Sequence, residues 1–190
     1  MPSIATALKG TVTLSLLCLL ASAATQATPV TYSGTNATGD FWDRPILSGL
    51  GISGNGPVQY HVQAFFTDLA GTYDFVSNQT YDGYLHLYLG AFDPTDQLSG
   101  LVIGNDDFPG IGVSGFDDVA LAAATQYYLV TSAFQAGQTG TFDNTISDDN
   151  GQATITLGLI GRIDIPEPGT LALLGLGLLA MRRRRFFPAR

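Results

Sequence analysis

The stretch VQYHVQAFF, Val58 to Phe66, alternates without a break. Val58, Tyr60, Val62, Ala64 and Phe66 fall on one face, and Gln59, His61 and Gln63 fall on the other. Alternation with a period of two predicts a half-buried antiparallel strand, with the apolar set inward and the polar set in solvent. Runs of similar character follow at 72–77, 84–89, 101–103, 119–122, 127–133, 140–146 and 153–160. Between them lie Asn55-Gly56-Pro57, Asp82-Gly83, Pro109-Gly110 and Asn150-Gly151, which have turn chemistry. No segment of this middle region shows a helical period. Eight short strands separated by turns predict an all-β domain, a two-sheet antiparallel sandwich of jelly-roll type.

The two ends follow a different pattern. Lys9 precedes an apolar run from Val12 to Leu20, and Ala21-Ser22-Ala23-Ala24 follows it. A basic start, a short apolar run and a small-residue exit make a secretory signal peptide. Ala21 and Ala23 supply the small positions, so cleavage is expected after Ala23, with Ala27 as the alternative. Cys18 lies inside the run without the small preceding residues of a lipoprotein signal, and it leaves with the peptide. The mature chain then has no thiol for a disulfide, a nucleophile or a zinc site.

At the other end, Pro166-Glu167-Pro168 stands before twelve apolar or small residues, Thr170 to Met181, and then Arg182, Arg183, Arg184 and Arg185. As a helix that run spans about 18 Å, against about 30 Å of bilayer hydrocarbon. It suits transient retention in a membrane with the arginines on the cytoplasmic side. The expected organisation is therefore a signal segment (1–23), a β domain (24–165) and a sorting segment (166–190). Short helices are expected in both flanking segments.

Charge sharpens the picture of the middle. Fifteen aspartates from Asp40 to Asp164 face only Arg44 and Arg162, a net charge of −13 across the β domain, and that domain contains neither Glu nor Lys. Binding to nucleic acid depends on Lys and Arg neutralising phosphates, so this composition excludes it. Aspartate is also a turn former and a short, hard oxygen ligand.

Catalytic patterns were sought and none emerges. Gly49-Leu-Gly51-Ile-Ser-Gly54 has the spacing of a phosphate-cradling loop but lacks the strand before and the helix after that such a loop needs. Ser114 has glycines at the wrong spacing for a nucleophile elbow. His61 and His86 read as solvent-facing strand residues without a catalytic partner. The expectation is a protein that is not an enzyme.

Two readings of the carboxylates stay open. Asp106 and Asp107 follow a strand, and Asp117 and Asp118 lie ten residues on across a glycine-rich loop. They are a solvated, solubilising surface, or they hold Ca²⁺, which takes six to eight oxygen ligands. Among the aromatics, Tyr84 and Tyr88 form a stripe that, if exposed, could stack on sugar rings or on a protein partner.

Several segments resemble a known domain. GTYDFVS, then YDGYLHLYLGAFDPTDQLSGLVIGNDD, QYYLVTSAF and TGTFDNTIS are similar to the bacterial pre-peptidase C-terminal domain, a β-sandwich of secreted proteins that includes calcium binders. Phe41-Trp42-Asp43-Arg44-Pro45 resembles the opening of its surface-sorted version. The ending resembles the PEP-CTERM sorting signal. That resemblance implies export through the inner membrane, processing by an exosortase, and residence at the cell surface or outside the cell, in association with exopolysaccharide. The leading expectation is a secreted, non-enzymatic binding or structural β-sandwich. The alternative is a calcium-dependent carbohydrate-binding module.

Overall fold

Ten antiparallel strands run through the described residues: β1 (Val30–Thr35), β2 (Phe41–Trp42), β3 (Val58–Thr67), β4 (Gly71–Gln79), β5 (Gly83–Leu89), β6 (Leu101–Asn105), β7 (Val113–Leu121), β8 (Tyr127–Ala133), β9 (Thr141–Asp148) and β10 (Ile155–Leu157). The computed structural model describes residues 27–46 and 51–161, and no helix occurs among them. The two expected flanking helices lie outside the described residues. So do the signal positions Ala21 and Ala23, the tail positions Pro166, Glu167, Pro168 and Arg182 to Arg185, and Gly49 of the glycine-rich stretch.

The strands form two sheets. One has the order β1-β9-β4-β7; the other has β10-β3-β8-β5-β6, with β2 on the same edge of β3 as β10. The sheets pack face to face. Phe65 of β3 meets Phe75 of β4 with ring centroids 5.8 Å apart, and Leu85, Leu87 and Leu129 of one sheet join Tyr73, Phe116 and Ile146 of the other in a single buried cluster. All eight strands expected from the sequence are present, with shifted ends. β1 and β2 are additional, because VTYSGT and FW are too short or too polar to stand out.

The alternation in β3 points the opposite way from expectation. Phe65 lies on the same face as His61 and Gln63, and His61 meets Phe142 of the other sheet at 5.2 Å, so this face turns toward the opposing sheet. Val58, Tyr60 and Val62 instead join Trp42, Tyr88, Val130 and Phe92 in a second cluster on the outer face. The larger sheet is thus covered on both sides. A continuous run such as GYLHLYL is the signature of a strand buried on both faces, and six of its seven residues are buried. Two expectations fall with this. His86 is fully buried rather than solvent-facing, and Tyr84 and Tyr88 form no exposed stripe. His61 is only half-buried, but it too faces inward.

A polar layer crosses the space between the sheets at one end. The register aligns Tyr32, Asn144, Ser77 and Ser114 across all four strands of the smaller sheet. In the larger sheet His61 pairs with Thr131. Asn144 donates to the Tyr32 hydroxyl at 2.9 Å and across the gap to Thr131 Oγ1 at 2.7 Å. A shift by one residue would turn this set outward and bury the opposite one, so the layer specifies strand pairing.

The cover of the outer face is a strap formed by residues 41–46. Trp42 sits over the sheet, edge-on to His86 at 5.2 Å and to Phe92 at 5.4 Å. Arg44 fastens it. Its Nε donates to the carbonyls of Ala133 and Phe134, both at 3.1 Å, Nη1 donates to Pro45 O at 3.1 Å, and Nη2 donates to Phe134 O at 2.6 Å. The guanidinium lies 4.1 Å from the centroid of the Tyr84 ring and 5.0 Å from that of Phe134. Arg44→Ala removes four hydrogen bonds to these carbonyls and uncovers the Tyr84 face. It should lower the unfolding free energy by about 2–4 kcal/mol in urea titration. Arg44→Lys should recover only part, since an ammonium cannot reproduce the planar fork.

Candidate functional site

Arg44 is the only Lys or Arg among the described residues, and it is 2% exposed. Burial lowers its pKa from the ordinary value, while Tyr84, Asp106 and Asp82 pull it back up. Above it opens a cleft of about 370 Å³ lined by Arg44, Ile46, Asn55, Tyr84, Asp106 and Phe134, together with Ser53 and Gly54.

The floor of the cleft is a three-layer stack. His86 lies parallel to Tyr84 at 4.5 Å, and Arg44 covers the other side of the Tyr84 ring. Gly104, paired with His86 across β5 and β6, makes room for the stack, since a Cβ there would come within 2.6 Å of His86 Cδ2. His86 Nε2 lies 3.2 Å from Pro45 O, the carbonyl that also accepts from Arg44. Burial is the main cause holding the His86 pKa down to about 3, so the ring is neutral. Burial likewise pushes the Tyr84 hydroxyl up to about 12.

The second feature is a β-bulge on the smaller sheet. Tyr73 pairs with Val119 and Phe75 with Phe116, so Asp117 and Asp118 together oppose Asp74. Asp118 takes φ +55°, a conformation that aspartate tolerates better than most residues, and its N–H donates to Asp74 Oδ1 at 3.0 Å. Carboxylate oxygens of Asp74, Asp118 and Asp149 lie within 4.8 Å of one another. Burial, then repulsion from Asp149, Asp117 and Asp118, raises the Asp74 pKa, against the Asp118 N–H that lowers it. Beside the trio, burial pushes the Asp148 carboxyl upward, but the N–H groups of Gln152, Ala153 and Asn150 hold it below the usual range.

The four aspartates singled out from the sequence therefore divide between two places. Asp106 lines the Arg44 cleft, and its Oδ1 accepts the N–H of exposed Asp107 at 3.0 Å. Asp118 belongs to the trio, with Asp117 exposed beside it on the bulge. Both sit within β7, across the glycine-rich loop 106–112 from Asp106 and Asp107. Asp74 escaped notice because it lies inside a strand, although a lone charge in TYDFVS was the available signal. Arg44 was legible as the one cation in an acidic stretch, but nothing in the sequence showed that it would be buried.

The two histidines make stability depend on pH. Burial lowers the folded-state pKa of both His86 and His61 from the ordinary 6.5. The unfolded chain therefore takes up protons below pH 6.5 that the folded chain refuses. Stability present above that pH should be lost as pH falls from 6.5 toward 3. Urea titrations at pH 7.5, 6 and 5 should show the fall, and His86→Gln should flatten it.

Comparison with known families bears on the tail. Residues 164–185 match the PEP-CTERM protein-sorting motif. Signals of this kind are processed by exosortase and imply export to the cell envelope or surface. The resemblance of the β domain to pre-peptidase C-terminal domains has no family match behind it. No curated protein matches the chain. The chain thus carries an exosortase-type sorting motif after an all-β domain of two antiparallel sheets.

Proposed function

We propose that this protein is a secreted, exosortase-sorted and non-enzymatic β-sandwich that serves at the cell surface or in the extracellular matrix as a binding or structural component. The sorting motif at 164–185 carries the reading. The fold is in keeping with it. The order β1-β9-β4-β7 against β3-β8-β5-β6 has the wiring of a jelly roll, an architecture common among lectin domains. His61 faces the opposing sheet and His86 lies beneath the strap, and neither of them nor Ser114 forms a nucleophile–base pair among the described residues. Intact mass spectrometry of the protein from the native host's surface and medium tests the reading. The expected species lacks residues 1–23 and ends near Pro166 to Gly169. A mass that retains Leu171 to Arg190 would replace the sorted module with a membrane-held one.

A second reading, a calcium-dependent carbohydrate-binding module, is favoured by the Asp74, Asp118 and Asp149 grouping, whose clustered charge is matched by no salt bridge among the described residues. On this reading calcium on the order of 1 mM raises the melting temperature of the wild type. Asp74→Asn with Asp149→Asn abolishes the rise, while Asp106→Asn with Asp107→Asn leaves it intact. Equal response in both double variants would place the ion elsewhere.

A further inference from the structure

The hydrogen bonds of Arg44 leave part of its donor set unused. A guanidinium has five N–H groups. Here Nε is shared between two carbonyls, and Nη1 and Nη2 each donate once, so one N–H on each terminal nitrogen has no partner among the described residues. Tyr84 lines the same cleft, and its hydroxyl has no hydrogen-bond partner among the described residues. Acceptors converge there too. Asp106 uses Oδ1 on the N–H of Asp107 and keeps Oδ2, while Asn55 gives its Nδ2 to Phe134 O and keeps Oδ1. Ile46, 39% exposed, and the Phe134 ring add apolar surface beside these groups.

We propose that this cleft binds a neutral polyhydroxylated ligand, a sugar unit, through the free donors of Arg44 and Tyr84 and the free acceptors of Asp106 and Asn55. Charge selects the class. The guanidinium in the floor repels a cation. A free anion meets Asp106 at the cleft and a domain of net charge −13, whose field opposes its approach. An uncharged ligand avoids both penalties, and vicinal hydroxyls match an array that mixes donors with acceptors. The cleft volume of about 370 Å³ lies in the range of small-ligand sites. The proposal rests on the reading of the chain as a surface binding module and gives that module its ligand class.

The test is saturation-transfer NMR followed by calorimetry on the mature protein. The probes are neutral trisaccharides of glucose, galactose, mannose and N-acetylglucosamine, with a trigalacturonate as the charged comparison. At least one neutral probe should bind. Asp106→Asn and Tyr84→Phe should each weaken it about tenfold, the size of one lost hydrogen bond, without changing the melting temperature. Neither variant touches the bonds that hold the strap. Should Tyr84→Phe unfold at a lower temperature, Asn55→Ala at the exposed rim takes its place. Silence across the neutral panel overturns the proposal, as does binding that ignores all three variants or binding of trigalacturonate alone. Failure here is separable from failure of the sorting reading, because cleft binding is measured on purified protein and sorting is read from the mass of the native species.

Discussion

A single guanidinium, inserted among backbone carbonyls and between two aromatic rings, holds the outer layer of this protein in place. Arg44 reaches from the strap to the end of β8, and its neighbour Pro45 offers one carbonyl to both Arg44 and His86. That fastening reinforces the pairing of β2 with β3, which seats Trp42 over the larger sheet and covers the outer faces of β3, β5 and β8. A buried cation is costly when it is left unpaired. Here carbonyl dipoles and the ring faces of Tyr84 and Phe134 supply the compensation that a carboxylate provides elsewhere.

This arrangement gives the larger sheet two apolar faces and the smaller sheet one. The smaller sheet carries the aspartate bulge on its outer side, and the larger sheet carries the cleft. Asp106 approaches one feature and Asp118 the other, though they are twelve residues apart in the chain. The division follows from topology, because β6 and β7 are consecutive strands placed in different sheets.

The strand content was legible in the sequence because period-two alternation and turn residues are local signals. The facing of those strands was not. Val58, Tyr60 and Val62 appear to demand the main core, yet they face the strap, and the polar-looking set that contains His61 and Gln63 faces the other sheet. Alternation tells two faces apart but cannot say which is covered by a sheet and which by a strap. The burial of His86 is hidden for a related reason, since a histidine between two tyrosines looks solvated until something is laid over all three. Phe65 next to Phe66 was the one hint that both sides of β3 are apolar. The tail needed no fold to be recognised, since its motif is a linear arrangement of proline, leucine and arginine.

The scarcity of basic residues bears on resistance to proteolysis. Between Ala27 and Gly161 the chain offers a protease that cuts after lysine or arginine one bond alone, Arg44–Pro45. That bond precedes a proline, and both of its residues are buried beneath the strap. Cleavage requires a segment that can open and enter an active site, and the strap is fastened at this very residue. Within residues 27–161 the arginine that closes the outer face is thus also the one site for trypsin-like enzymes, and it stays out of their reach for as long as the fold persists.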